Sequence, residues 1–288
     1  MNVKRPLALD RFLMSRAIEA TRQPLSKPVA GVSVQDYLTE MGFRRLGWRA
    51  VRREIIFLAS GQSVYKQSAI NKSWTRGLWL YFGEGQLGDA LMDLAPRSLL
   101  REQGIRMDLL TEKHLSELFQ GDPWFGTVTS DPRELNGCCY DFAVVLSNKR
   151  RALQIKRKFF KRLPWVSVLE SFSGPDFHRA GYATQRFADL LKLDLTSSDF
   201  IFHSSQKLKS PALNNEPETR DTKTSSMIAI CIGGVDPRRT YKTWDVVIEI
   251  LLQNGWKNFM LIGGENGIED ARRLVTQYSC AAHFLDHV

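Results

Sequence analysis

Leu78-Trp79-Leu80-Tyr81-Phe82 runs straight into Gly83-Glu84-Gly85-Gln86-Leu87-Gly88 and then into Asp89-Ala90-Leu91-Met92-Asp93. A short apolar run closed by glycines suits a strand buried on both faces, and the apolar spacing over 89–102 suits a helix. The stretch therefore reads as the first strand, turn and helix of a βαβ unit. The alternation continues with strands over 105–110, 127–128, 141–146 and 165–169, and with helices over 112–120, 148–162 and around 183–191. Strand and helix in turn predict an α/β fold with a parallel sheet and helical crossovers.

Residues 203–226 are polar, proline-bearing and aperiodic, and read as a linker. A second α/β pattern follows: strands over 227–232, 258–262 and 282–285, helices over 243–252 and 268–278, and the turns Gly233-Gly234 and Gly263-Gly264. This is half of an ordinary doubly wound domain. Ahead of the first strand, apolar residues recur at helical intervals over 9–21, 34–41 and 44–60, broken by a Pro/Gly segment over 23–32. The sequence thus divides into a basic helical extension (1–76), a first Rossmann-like domain (77–202), a linker (203–226) and a second, incomplete Rossmann-like domain (227–288).

At 43% hydrophobic and 25% charged residues, the 288-residue chain is neither disordered nor fibrous. Its formal charge of +9 suggests a polyanionic partner, but the surplus is local. Residues 1–76 hold 14 of the 40 basic and 5 of the 31 acidic residues, so the remainder is formally neutral. Within the extension, Arg44, Arg45, Arg49, Arg52 and Arg53 alternate with Leu46, Trp48, Val51, Ile55, Ile56 and Leu58. A solvated helix face packed on the next domain accounts for this pattern, and so does peripheral contact with an anionic membrane. No RNP-like aromatic pattern or helix-turn-helix signal accompanies the charge, so no nucleic-acid partner is expected. Cys138, Cys139, Cys231 and Cys280 have neither metal-ligand nor disulfide-framework spacing, and no signal-peptide or membrane-spanning run is present. A cytoplasmic location, with possible attachment to the inner membrane face, is the resulting expectation.

Two segments can carry chemistry. Gly83, Gly85 and Gly88 formally match the G-x-G-x-x-G dinucleotide fingerprint, which makes an NAD-dependent oxidoreductase one alternative. That fingerprint also needs an acid closing the second strand, and Glu112, the candidate, stands equally well as a helix-start acid. Asp89 argues against the dinucleotide, because a carboxylate at the helix start repels pyrophosphate. The same Asp89 is well placed as a general base on an acceptor hydroxyl, with Gly85 and Gly88 letting substrate approach, and it also suits a plain helix-start residue. In the second pattern, Gly233-Gly234 through Arg238, Arg239, Thr240, Tyr241 and Lys242 runs from strand into helix and supplies backbone amides, a hydroxyl and cations for a phosphate. Glu265, after Gly263-Gly264, stands where a ribose-binding acid would stand. The cluster from Lys149 to Arg162, with Lys156 and Arg157 at its centre, is either a solvated helix face or a docking surface for an anionic acceptor.

The segment 82–96, with its G-x-x-L-G-D-A-L run, and the segment 228–274, with I-G-G, R-R-T-Y-K-T-W and L-I-G-G-E-N-G-I-E-D-A-R-R-L, resemble the heptosyltransferase family of glycosyltransferases. The resemblance implies a GT-B architecture, a pair of Rossmann-type parallel-sheet domains, here with the N-terminal extension and a truncated second domain. It implies Asp89 as catalytic base, and Lys242 with Thr240 on the donor diphosphate, alongside Gly233, Gly234, Gly263 and Gly264. It implies Glu265 on the donor nucleoside, and Gly85, Gly88, Lys156 and Arg157 on the acceptor side. The activity implied is inverting transfer of a sugar, most like heptose from ADP-heptose, to an anionic glycan or glycolipid acceptor of lipopolysaccharide type. No metal and no cofactor besides the nucleotide-sugar donor are implied. Family members continue into an Asp-x-Gly-x-x-His segment that is absent from the sequence, so a non-catalytic relative of the same fold is the other alternative.

Overall fold

The computed structural model describes residues 8–83, 86–146, 149–175, 177–205, 208, 227–233, 241–263, 267–278 and 282–286. They form two compact units that divide at residues 213 and 214.

The first unit opens with three helices, α1 (Ala8–Thr21), α2 (Val34–Met41) and α3 (Phe43–Ala59). The sheet pattern follows: β1 (Arg76–Tyr81), α4 (Leu87–Asp93), α5 (Arg97–Glu102), β2 (Arg106–Thr111), α6 (Lys113–Phe119), β3 (Phe125–Thr129) and β4 (Phe142–Val145). Then come α7 (Arg150–Phe159), β5 (Trp165–Ser167), α8 (Arg179–Leu191) and α9 (Ser197–Ser204). All five strands are parallel, in the order β3-β2-β1-β4-β5. The alternation of β1 sends Trp79 and Tyr81 into a core shared with α4, α5, α6 and α8, and Leu78 and Leu80 into a core shared with α7 and α3. Burial on both faces explains why β1 and β4 read as unbroken apolar runs.

Three expected boundaries differ. The helix expected over 89–102 is two helices, because Pro96 lacks the N–H that an uninterrupted helix needs and instead starts α5. The helix expected around 183–191 begins at Arg179, where His178 Nδ1 accepts the Gly181 N–H at 3.0 Å. The expected linker starts two residues too early: α9 runs to Ser204, and His203 is buried against Ser98 Oγ at 2.8 Å and Glu102 at 3.2 Å.

The N-terminal helices are part of this unit. Ile56 and Phe57 of α3 pack on the core beneath α7, and the Trp165 indole N–H donates to the Gln62 carbonyl at 2.9 Å. The Gln67 N–H donates to the Trp165 carbonyl at 2.7 Å, and the Tyr37 hydroxyl to the Ser173 carbonyl at 2.9 Å. Gly47 lets α3 approach α1 closely, since a Cβ there would lie 2.3 Å from the Leu13 carbonyl oxygen. Ion pairs of Arg44 with Asp10 and of Arg16 with Glu54 tie the same two helices together.

The second unit is β6 (Ile228–Cys231), α10 (Trp244–Gln253), β7 (Phe259–Gly263), α11 (Ile268–Gln277) and β8 (Ala282–Asp286), with the strands parallel in the order β6-β7-β8. Both helices contribute to one core, Ile248 from α10 with Ala271 and Leu274 from α11, as right-handed crossovers in a steadily advancing strand order require. No helix among the described residues is long and apolar enough to cross a membrane.

Candidate functional site

In the first sheet the chain winds outward from β1 to β3 and then returns to β4, so the connections leaving β1 and β4 part at the C-terminal edge and open a crevice there. The residue ending the β1 run, Gly83, has φ +92°, a conformation that side-chain-bearing residues rarely adopt, and it turns the chain toward α4. Its carbonyl accepts from Lys149 Nζ at 3.2 Å across the crevice. Lys149 stands just before α7, and burial, aided by the nearby Arg53 and Arg179, brings its amine down to about 8.

Asp89 and Asp93 are four residues apart on α4 and therefore share one face. Both meet Arg179, the first residue of α8. One guanidinium nitrogen is 3.3 Å from Asp89 Oδ2, while Nε lies 3.0 Å from Asp93 Oδ1 and a third nitrogen bonds Asp93 Oδ2. The Tyr81 hydroxyl donates to Asp93 Oδ2 at 2.9 Å. Asp93 is 2% exposed, against 26% for the Asp89 side chain, so the inner carboxylate anchors the arginine and the outer one faces the crevice. Burial pushes the Asp93 carboxyl up, against the hydrogen bonds from Arg179 and Tyr81, and burial next to Asp93 raises the Tyr81 phenol. Gly88 is exposed, and a Cβ on it would meet nothing within 4 Å.

Glu112, the acid a dinucleotide would need, is engaged by Arg151 at 2.9 Å. Gly85 lies outside the described residues. Arg157 is exposed on α7 and lines a recess against the end of α3 with Ile56, Ala59 and Ser60.

Lys156 is not on the acceptor surface. It is wholly buried, and its amine donates to Gln62 Oε1 at 2.6 Å and to the Phe160 carbonyl at 3.2 Å. The physical reason is helical spacing, which aligns Lys156 with Ala152 and Leu153 on the inward side of α7. With no carboxylate among these partners, burial lowers its amine from 10.5 to about 8. Between those values the unfolded chain holds a proton that the folded chain does not, so folding gains stability as pH rises through that window. The melting temperature of the wild type relative to Lys156→Met should therefore rise from pH 7.5 to 9.5 in thermal unfolding. A difference that stays constant with pH would contradict the assignment.

In the second unit, Ile232 and Gly233 follow the end of β6 at Cys231, and Gly263 closes the neighbouring β7. Gly267 presses on the same spot: a Cβ there would lie 2.7 Å from the Ile232 carbonyl oxygen and 3.0 Å from Gly233 Cα. Gly233 and Gly267 are thus brought together at one sheet edge, and Lys242 stands exposed just before α10. Gly234, Thr240, Gly264 and Glu265 lie outside the described residues.

Arg179, Asp93, Tyr81 and Gly267 are the residues that sequence reasoning missed. The four-residue spacing of Asp89 and Asp93 carried a signal for a shared partner, but Arg179 is 86 positions from Asp93 and reaches it only through the fold.

No protein-family model matches the sequence, and no curated protein matches it. Among solved structures, the E. coli heptosyltransferase WaaC with ADP is similar with a TM-score of 0.52 at 14% identity, over 74% of this chain and 75% of that one. A glycosyl transferase of family 9 from Veillonella parvula is similar with a TM-score of 0.51 at 16% identity, over 75% of this chain and 71% of that one. The chain is built on the α/β fold of these GT-B glycosyltransferases, the fold that its resemblance to heptosyltransferases implies.

Proposed function

We propose that the chain is a glycosyltransferase that moves a sugar, most like heptose, from a nucleotide-diphosphate donor to an anionic glycan or glycolipid acceptor of lipopolysaccharide type. The observation that carries this reading is Asp89, half-buried at the switch point of the sheet and oriented by an arginine that is itself anchored on buried Asp93. Asp89 takes the proton of an acceptor hydroxyl as that oxygen forms a bond to the anomeric carbon. The bond from that carbon to the phosphate oxygen breaks, and its electron pair leaves with the nucleotide diphosphate. Arg179 keeps Asp93 as a partner when Asp89 accepts the proton, so the step leaves no guanidinium unpaired. Lys242, Thr240 and the amides around Gly233-Gly234 stabilise the departing diphosphate, with Glu265 on the nucleoside. One displacement on one base inverts the anomeric centre, and cations with amides carry the charge that a metal would otherwise carry.

The ADP-bound E. coli neighbour supports a nucleotide donor. Calorimetric titration of the full chain tests it: ADP binds, NAD does not, and Lys242→Ala weakens ADP by roughly 1.5–3 kcal/mol, the range of a hydrogen bond to a charged group. Tight NAD binding lost in Gly85→Val, with ADP indifferent to Lys242→Ala, would overturn the reading in favour of an oxidoreductase.

A further inference from the structure

We propose that the cavity between α3 and the C-terminal edge of the first sheet is an oxyanion site, in which Arg53, Lys149 and Arg179 hold a phosphate or carboxylate carried by the acceptor. The cavity is about 180 Å³, and Tyr37, Phe172 and Phe177 wall it alongside the three cations. It straddles the sheet edge, because Arg53 comes from the helix beneath one face, Arg179 from the helix on the other, and Lys149 from the loop between them.

Arg53 is the telling residue. On α3, Arg45 and Arg52 are exposed beside Trp48 and Ile55, whereas Arg53 shares the opposite side with buried Leu46 and partly buried Ala50 and Phe57. Other arginines that this unit draws inward are matched with carboxylates, Arg97 with Asp122 at 2.9 Å and Arg186 with Glu170 at 2.7 Å. Arg53 forms no ion pair among the described residues, and burial with neighbouring Arg49 lowers its pKa. Holding Arg53 without an ion pair in a partly dry cavity beside Lys149 is unfavourable by itself and becomes favourable when an anion enters.

The size and place of the cavity define the ligand. Complete small-molecule sites run to roughly 300–1,000 Å³, so this one suits a charged group rather than a whole nucleotide sugar. Lys149 also reaches the Gly83 carbonyl, and Arg179 also reaches Asp89. An anion held here fixes its parent molecule next to the proposed base, which sets a nearby hydroxyl for deprotonation. The assignment to the acceptor rests on the transferase reading; the oxyanion site itself does not.

Titration of the full chain with inorganic phosphate, and separately with acetate at matched ionic strength, tests the site. Phosphate should bind, and its affinity should fall at least about tenfold, or 1.4 kcal/mol, in Arg53→Gln and in Lys149→Met. It should be unchanged in Arg45→Gln, which alters an exposed arginine on the same helix. Lys149→Met keeps the test usable if Arg53→Gln does not fold. Acetate binding with the same dependence on Arg53 identifies a carboxylate as the ligand, and binding of phosphate alone identifies a phosphate. Wild-type phosphate affinity in both Arg53→Gln and Lys149→Met, or an equal loss in Arg45→Gln, would overturn the site. Failure to bind ADP together with phosphate binding that depends on Arg53 would instead overturn the transferase reading and leave the site standing.

Discussion

Asp89→Asn should lower sugar transfer by about 10²–10⁴-fold, the usual contribution of a positioned general base, and leave ADP affinity unchanged. The asparagine keeps the size of the side chain and an oxygen for Arg179, so the crevice retains its shape while losing the group that accepts the proton. Donor binding is expected to survive because the residues proposed for it, Gly233 and Lys242 among them, belong to the second unit. The split is diagnostic. A residue that served only to start α4 would, when changed, lower stability and leave the rate per folded molecule intact, whereas a base lowers that rate at constant melting temperature.

Asp93→Ala should cost about 3–5 kcal/mol of stability, the range measured when one partner of a buried ion pair is removed. Asp93 is 2% exposed and accepts from Arg179 and from Tyr81. Removing it leaves the Tyr81 hydroxyl without its acceptor in the core and leaves Arg179 with Asp89 as its remaining carboxylate. Denaturant unfolding monitored by circular dichroism measures the effect, and a change below about 1 kcal/mol, typical of an exposed pair, would show that the carboxylate does not anchor the arginine. Asp93→Asn should cost less, because it retains an acceptor for Tyr81.

The parallel sheet was legible because its central strands are apolar at nearly every position, which only strands covered on both faces tolerate, and because glycine turns and helical spacing punctuate them. Asp89 was legible for a local reason as well: it follows a glycine turn at the end of the first strand. What was not legible depends on distance in sequence. The carboxylates on α4 find their arginine at the start of α8, and Arg53 reaches the crevice from a helix that the sequence marks off as an extension. That extension read as an appendage because its charge differs from that of the rest, yet the sheet face beneath α7 is covered in part by α3. Lys156 shows the converse error. Composition placed it in a basic surface patch, although its spacing from Ala152 and Leu153 already put it on the inward stripe of α7. Much of the donor site proposed here, Gly234, Thr240, Gly264 and Glu265, rests on the sequence pattern around two glycine turns; beside the first of them the structure packs Gly267 against Ile232 and Gly233.

The measurement closest to the central claim is release of nucleotide diphosphate from a panel of nucleotide sugars that includes ADP-heptose, with and without a lipopolysaccharide-type acceptor. It is made on the full chain and on Asp89→Asn side by side. The account predicts release by the wild type that requires the acceptor and is lost in the variant. Equal release by both proteins, or no release from any nucleotide sugar in the presence of acceptor, would contradict it.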